Sequence, residues 1–130
     1  MTICRYKKED EEELFNLLRS EGVAWNVYFL GEGMARFRAA LKNSLTYVVY
    51  EDGELCGFCR CHDDFGFGIY VFDLLVAKKH RGKNFGLLLV GQVCIDFPDA
   101  RVYVMSDEDG YYEKQGYQRE GSVFSISLME

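Results

Sequence analysis

An unbroken β-branched and aromatic run, Ile69-Tyr70-Val71-Phe72-Asp73-Leu74-Leu75-Val76, is followed after one polar turn by Phe85 to Asp96, which is apolar on most sides. The first run reads as a central strand. The second is longer than most strands and reads as a buried helix. Arg101 to Met105 (RVYVM) then alternates as the strand that receives the chain after the helix. The latter half of the sequence is thereby committed to a strand-turn-helix-strand unit. Around it, the remaining elements have to build the rest of a sheet.

Those elements can be read in order. Thr2 to Tyr6 is a short first strand. Lys8 to Ser20 places Leu14, Phe15, Leu17 and Leu18 on one helical face, with Glu9 to Glu13 at the N-terminal turn and Gly22 at the end. Phe29 to Lys42 reads as a second helix, with Met34, Phe37 and Leu41 on a shared face. Thr46 to Tyr50 (TYVVY) and Leu55 to His62 form a hairpin about Asp52-Gly53, and a second turn spans Asp63 to Gly66. Beyond Met105, Tyr111 to Gln115 is a short helix closed by Gly116, and Val123 to Leu128 (VFSISL) is a last alternating strand. The order β-α-α-β-β-β-α-β-α-β is that of an α+β or mixed α/β fold. No repeat or low-complexity stretch interrupts it, so residues 1–130 are read as a single domain.

Charge narrows the partners. With 15 Lys+Arg against 21 Asp+Glu, the formal charge is −6, which disfavours a general nucleic-acid or anionic-membrane binder. MTICRYKKED has no apolar stretch behind its basic residues and is not read as a secretion signal. No apolar run approaches the roughly 18–20 residues of a membrane span. The five cysteines, an odd number without an export signal, are read as reduced thiols of a cytoplasmic protein. Cys56, Cys59, Cys61 and His62 are too close together on one strand to converge on a tetrahedral ion, with Cys59 and Cys61 on one face and Cys56 and His62 on the other. No metal site is expected.

Against that acidic background, the turn AKKHRGKNFG (77–86) is locally basic through Lys78, Lys79, Arg81 and Lys83. A glycine-containing turn opening a helix exposes unpaired N–H groups, and with nearby cations these bind phosphate. It is neither a Walker A loop nor a G-x-G-x-x-G fingerprint. A solvated basic turn is the alternative.

IYVFDLLVAKKHRGKNFGLLLV resembles the acyl-CoA-binding motif of the GNAT superfamily of N-acyltransferases, a strand followed by R/Q-x-x-G-x-G/A opening a helix. Arg81, Gly82, Lys83, Phe85 and Gly86 fit it in order; Asn84 stands where the family has glycine, and asparagine is the non-glycine residue that best tolerates a left-handed backbone. DEDGYYEKQGY (107–117) resembles the family's later F-Y-x-x-x-G-F motif through Tyr111, Tyr112, Gly116 and Tyr117. More loosely, Trp25, Ser44, the Asp52-Gly53 hairpin and Gly57 sit where similar bacterial acetyltransferases carry like residues. The resemblance implies a central twisted, mostly antiparallel sheet of about six to seven strands with about four helices, splayed between strands 4 and 5.

It also implies a function: transfer of an acetyl group from acetyl-CoA to a primary amine by direct attack in a ternary complex. Leu74, Leu75 and Val76 would offer backbone groups to the pantetheine, with an N–H near Val76 facing the developing oxyanion. Residues 81–86 would hold the pyrophosphate. Tyr112 would protonate the departing thiolate, or else it is a packed aromatic. Asp73, an acid inside an apolar strand, is either a base acting through water or a hydrogen-bonded structural residue. Trp25, Tyr28 and Phe29 either line the acceptor pocket or fill the core. The partners expected are acetyl-CoA and a small amine, with a protein amine as a second acceptor class; an exposed sheet edge near the last strand could support a homodimer. A GNAT-like module that senses CoA or binds other proteins without catalysis is the competing reading.

Overall fold

In the computed structural model, which describes residues 1–128, five strands form one sheet in the order β1-β2-β3-β4-β5. They are β1 (Thr2–Arg5), β2 (Leu45–Glu51), β3 (Glu54–Asp63), β4 (Ile69–Val76) and β5 (Val102–Val104). Four helices accompany them: α1 (Glu11–Ser20), α2 (Gly33–Lys42), α3 (Phe85–Asp96) and α4 (Asp109–Lys114). The strands from β1 to β4 pair antiparallel, while β4 and β5, joined through α3, pair parallel. This is a mixed α/β sheet with the mostly antiparallel character expected.

Strand β4 and helix α3 have the bounds that their residue patterns predict. The second helix starts later than expected. Residues 23–28 form a 3-10 turn, Gly31 adopts φ +55°, and helical structure begins at Gly33. A Cβ on Gly33 would lie 2.0 Å from the Val27 carbonyl oxygen, so the chain packs against itself there and Phe29 is left outside α2. The expected last strand is not formed. Val123 to Leu128 pairs with nothing, and the sheet has five strands among the described residues rather than six or seven. Its alternation is a local property, whereas a strand exists only where a partner edge meets it.

The two faces of the sheet carry separate cores. Helix α3 packs Phe85, Leu89 and Val93 on Tyr47, Val49, Cys59, Cys61, Ile69 and Val71. Helices α1 and α2 pack Leu14, Phe15, Leu18, Phe37 and Leu41 on Val48, Leu55, Phe58 and Leu75. Two register shifts decide who faces which side. In β3, Val49 opposes Gly57 and Tyr50 opposes Leu55, leaving Cys56 as an extra residue. Cys56 therefore joins Cys59 and Cys61 in the α3 core, contrary to the expected alternation. In β4, Arg60 opposes Asp73 and Cys61 opposes Val71, leaving Phe72 as the extra residue. Ile69 and Val71 consequently face α3, while Asp73 and Leu75 face α1 and α2.

Candidate functional site

The splay predicted between the fourth and fifth strands is present. Pairing of β4 with β5 covers only Ile69 to Val71, and its last hydrogen bond runs from the Met105 N–H to the Val71 carbonyl (2.9 Å). Beyond it β4 keeps only β3 as a neighbour. The Ala77 N–H donates to the Cys56 carbonyl (2.8 Å), and antiparallel ladders alternate. Leu75 thus directs its backbone at β3, while the N–H and C=O groups of Leu74 and Val76 point into the space that β5 has left. Leu75 does not face this cleft, and its side chain lies in the α1–α2 core. On the open side the Val76 carbonyl accepts from Arg81 Nε (2.9 Å).

The basic turn leads from that cleft into α3. Gly82 has φ +85°, and Asn84, the residue before the helix, sits at φ +65°, ψ +19°. Asparagine thus supplies the left-handed conformation usually left to glycine. Leu88 is the first residue of α3 whose N–H finds a helical acceptor, the Asn84 carbonyl (3.0 Å). The N–H groups of Phe85, Gly86 and Leu87 are the unpaired donors of the helix start. The Phe85 side chain is buried in the α3 core, so only its backbone is available here.

Three of the turn's cations already have carboxylate partners that the sequence did not reveal. Arg81 is paired with Glu21, Lys83 Nζ lies 3.3 Å from Glu51, and Lys79 Nζ lies 2.8 Å from Glu54. Lys79 is the main cause holding the Glu54 carboxyl below its ordinary pKa. His80 is buried beside Glu51 (3.5 Å) and stacks on Phe85. A cleft of about 440 Å³ lies on the α1 side, lined by Glu13, Glu21, Glu54, Lys78 and Lys79 among others; Tyr112 is not part of it.

Helix α4 brings Tyr111 over the start of α3, with Tyr112 edge-on to it (5.0 Å between ring centroids). The Tyr111 hydroxyl stands 3.3 Å from where a Cβ on Gly86 would be, and Leu74 Cδ2 stands 3.7 Å from the same point. Any side chain at 86 would crowd the tyrosine. The Tyr112 phenol is pushed up to about 12, chiefly by burial, then by Tyr111, Asp107 and Cys59. It therefore stays protonated through the physiological range. The Cys59 thiol is also raised, first by its contact with Cys61 (Sγ to Sγ 3.6 Å) and then by burial. No group of three or more His, Cys, Asp or Glu residues able to hold a metal occurs among the described residues.

On the other face, Asp73 is 5% exposed with both oxygens engaged. Oδ2 accepts from Arg60 Nε at 2.5 Å, and Oδ1 accepts from the Tyr28 hydroxyl at 2.8 Å. Arg60 lies between the rings of Phe37 (5.4 Å) and Phe72 (5.6 Å). Burial and Asp73 raise the Tyr28 phenol to about 12. Trp25 packs on Tyr28 (5.6 Å between centroids) and on Phe58 (6.1 Å), and Phe29 is half-buried in the same cluster. Tyr28 and Asp73 are thus brought together, and Arg60 is the member that sequence reasoning missed. A lone cation in CGFCRC, facing a lone acid in the next strand of the meander, was the available signal.

The model of the acetyltransferase (GNAT) family matches residues 11–117. No curated protein matches the sequence. Among solved structures, a GNAT-family acetyltransferase from Streptococcus pneumoniae is 21% identical, with 98% of each chain covered and a TM-score of 0.73. A ribosomal-protein-alanine N-acetyltransferase from Brucella melitensis is 21% identical over the whole of both chains, also with a TM-score of 0.73. An aminoglycoside acetyltransferase from an uncultured soil metagenomic sample is 23% identical over 98% of each chain, with a TM-score of 0.71. At these identities the likeness is one of fold.

Proposed function

Because this chain belongs to the GNAT acetyltransferase family, we propose that it transfers an acetyl group from acetyl-CoA to the primary amine of a small acceptor. The observation that carries this reading is the cleft between β4 and β5. It is lined by the free N–H groups of Leu74 and Val76, and Tyr112, a phenol held protonated, is the acid this reading requires. The residues fit the cosubstrate. The pantetheine arm is itself an extended amide chain, and the outward backbone of β4 offers it strand-like hydrogen bonds. The pyrophosphate suits the unpaired N–H groups at the start of α3 and the backbone at Gly82 and Asn84.

In this mechanism the neutral amine attacks the thioester carbonyl carbon, and the developing oxyanion is met by an N–H of β4, at Val76. The carbon–sulfur bond breaks, and the Tyr112 hydroxyl gives its proton to the leaving sulfur. The burial that raises the phenol raises the thiolate's basicity as well, so donor and acceptor remain matched. The attacking nitrogen loses its proton to water, and the Tyr112 phenolate regains one from the solvent. The products are an N-acetyl amide and the free thiol.

Asp73 is better suited to positioning than to proton abstraction, since a base would have to release Arg60 or Tyr28. With Trp25 and Phe29, the Tyr28–Asp73–Arg60 unit would form the acceptor side. We take the acyltransferase to be a single domain over residues 1–130 working in the cytoplasm. No helix among the described residues is long and apolar enough to cross a membrane.

The pairing of Arg81, Lys83 and Lys79 with glutamates favours a second reading, in which CoA binds weakly and the domain is a sensing or interaction module. Thermal stability with acetyl-CoA at a hundredfold excess over Kd should rise by the equivalent of about 2.7 kcal/mol. Thiol release against a panel of amines then reads the transfer. Tyr112→Phe should lower kcat by about 10²–10⁴-fold while keeping the acetyl-CoA stabilisation. A stability rise without thiol release from any amine would favour the module; no rise at all would remove the cleft as a CoA site.

A further inference from the structure

His80 sits where no neutral form of its ring is satisfied. The residue is 9% exposed, and neither buried ring nitrogen makes a hydrogen bond among the described residues. It closes the 3-10 turn Lys78–His80, its N–H donating to the Ala77 carbonyl (2.9 Å), and its ring stacks on Phe85 at the start of α3. The nitrogens face two carboxylates of the β2–β3 hairpin: Nδ1 lies 3.5 Å from Glu51 and Nε2 lies 3.8 Å from Glu54. A neutral imidazole carries one N–H and one lone pair, whereas an ionised carboxylate only accepts. Either neutral tautomer therefore turns a lone pair toward an acid. Only the imidazolium, a donor at both nitrogens, matches both.

The same two carboxylates hold the lysines of the basic turn. Lys83 Nζ lies 3.3 Å from Glu51, and Lys79 Nζ lies 2.8 Å from Glu54. Lys79 first, and His80 after it, keep the Glu54 carboxyl below its ordinary pKa. With His80 neutral, two cations meet two acids; with His80 protonated, three cations compete for the same two. The other charged and titratable neighbours do not alter this count. Arg81 is paired with Glu21. Cys56 of β3 has its thiol raised first by burial and then by Glu51 and Glu54, so it stays neutral. Helix α3 presents only the Phe85 ring, which Lys83 Nζ also approaches (5.9 Å to the centroid).

We propose that His80 is a positioning residue for the cosubstrate: its protonation occupies Glu51 and Glu54 and frees Lys83 and Lys79 to meet the pyrophosphate at the start of α3. The inference rests on the reading of residues 81–86 as the acetyl-CoA phosphate site. The step is the uptake of one proton from solvent, and no other bond changes. By linkage, acetyl-CoA favours the protonated ring by the same factor that the protonated ring favours acetyl-CoA. Imidazole is the side chain whose charge ordinarily changes between pH 5 and 8, so the coupling acts near neutrality. Its sign is fixed: lower pH means more imidazolium, freer lysines and tighter binding. The acceptor amine has the opposite requirement, since it attacks only when neutral. Cosubstrate capture and amine attack are thereby favoured at opposite ends of one pH range.

Calorimetry with acetyl-CoA at low salt, at pH 6 and pH 8, reads the coupling. Wild type should gain about three- to tenfold in affinity at pH 6 beyond whatever His80→Gln gains, since the variant carries the ligand's own phosphate titration. Glu51→Gln should bind more tightly than wild type at pH 8 and approach it at pH 6, where the wild-type lysines are already free. A merely structural role for His80 would not make the effect of Glu51→Gln depend on pH. Proton NMR gives a second readout, because His62 is the only other histidine. The His80 ring should titrate at higher pH with acetyl-CoA bound and at lower pH in Glu51→Gln. No binding at either pH would overturn the phosphate-site reading and the proposal with it. Binding with the same pH dependence in wild type and His80→Gln, or an equal gain for Glu51→Gln at both pH values, would overturn the proposal alone. If His80→Gln fails to fold, the Glu51→Gln comparison and the ring titration decide, and a His80 titration unmoved by acetyl-CoA overturns it.

Discussion

Replacing Asp73 by leucine tests the most heavily buried charge of the Tyr28–Asp73–Arg60 cluster. The carboxylate is 5% exposed and the Arg60 side chain 16%, so removing the acid leaves a guanidinium largely out of water. Breaking a buried pair in this way costs about 3–5 kcal/mol. The rings of Phe37 and Phe72 beside Arg60 return part of it, of order 0.5–1 kcal/mol. The Tyr28 hydroxyl also loses its acceptor, worth about 1 kcal/mol. The net expectation is a loss of about 3–5 kcal/mol, or a Tm lower by roughly 10–20 °C for a domain of this size. Arg60→Met combined with Asp73→Leu removes both charges and should lie within about 1–2 kcal/mol of the wild type. Arg60→Met alone leaves the carboxylate unpaired and is also destabilising, so the double variant should be far more stable than the sum of the two single losses. Urea unfolding reads all four proteins. Trp25, the only tryptophan, sits 5.6 Å from the Tyr28 ring and reports the local environment, while circular dichroism follows the whole chain. A loss below about 1 kcal/mol for Asp73→Leu, or a double variant as unstable as the sum of the singles, would refute the argument that this pair is desolvated and coupled.

Three further outcomes are expected. Gly33→Ala places a methyl 2.0 Å from the Val27 carbonyl oxygen and should cost at least about 1–3 kcal/mol by urea unfolding; a neutral result would mean the 3-10 segment gives way freely. Glu51→Gln frees Lys83 and should tighten acetyl-CoA about two- to fivefold at low salt in calorimetry, the gain shrinking as salt is raised; unchanged affinity would mean that Lys83 does not reach the ligand. Burial raises the Tyr28 and Tyr112 phenols from 10 to about 12, so the folded state holds these protons more tightly than the unfolded one. Their contribution is intact below pH 10 and is lost between pH 10 and about 12. Thermal melts over that window should fall more steeply for the wild type than for Tyr28→Phe with Tyr112→Phe, and parallel slopes would contradict the shifts.

The parts of the structure legible in the sequence are those fixed by short-range pattern. Ile69–Val76 and Phe85–Asp96 could be bounded because each is a long run of one kind ended by polar or glycine-bearing turns. The left-handed Asn84 was legible for the same reason, since one residue type at one turn position carries the information. What could not be read depends on register. The joining of Tyr28 and Arg60 to Asp73 requires knowing that Phe72 is an extra residue, and nothing in IYVFDLLV marks it. The glutamates that meet the basic turn come from α1 and from the β2–β3 hairpin, distant in sequence, and so the turn looked more cationic than its surroundings leave it. The last strand was over-read because alternation was legible while the absence of a neighbour within the described chain was not.

The extra residue at Phe72 makes strand length a heritable constraint in its own right. It works like a reading frame: the two ends of β4 are held in opposite phase, each tied to a different helical layer. Deleting one residue there would leave composition and hydropathy almost unchanged, yet it would turn Asp73 toward the α3 core or drag Val71 out of it. Substitutions along this strand can therefore be judged one position at a time, whereas insertions and deletions shift a whole set of side chains together. Any transplant of the β3–β4 hairpin into a related scaffold has to preserve the residue count between Cys61 and Arg81 before it preserves any residue's identity.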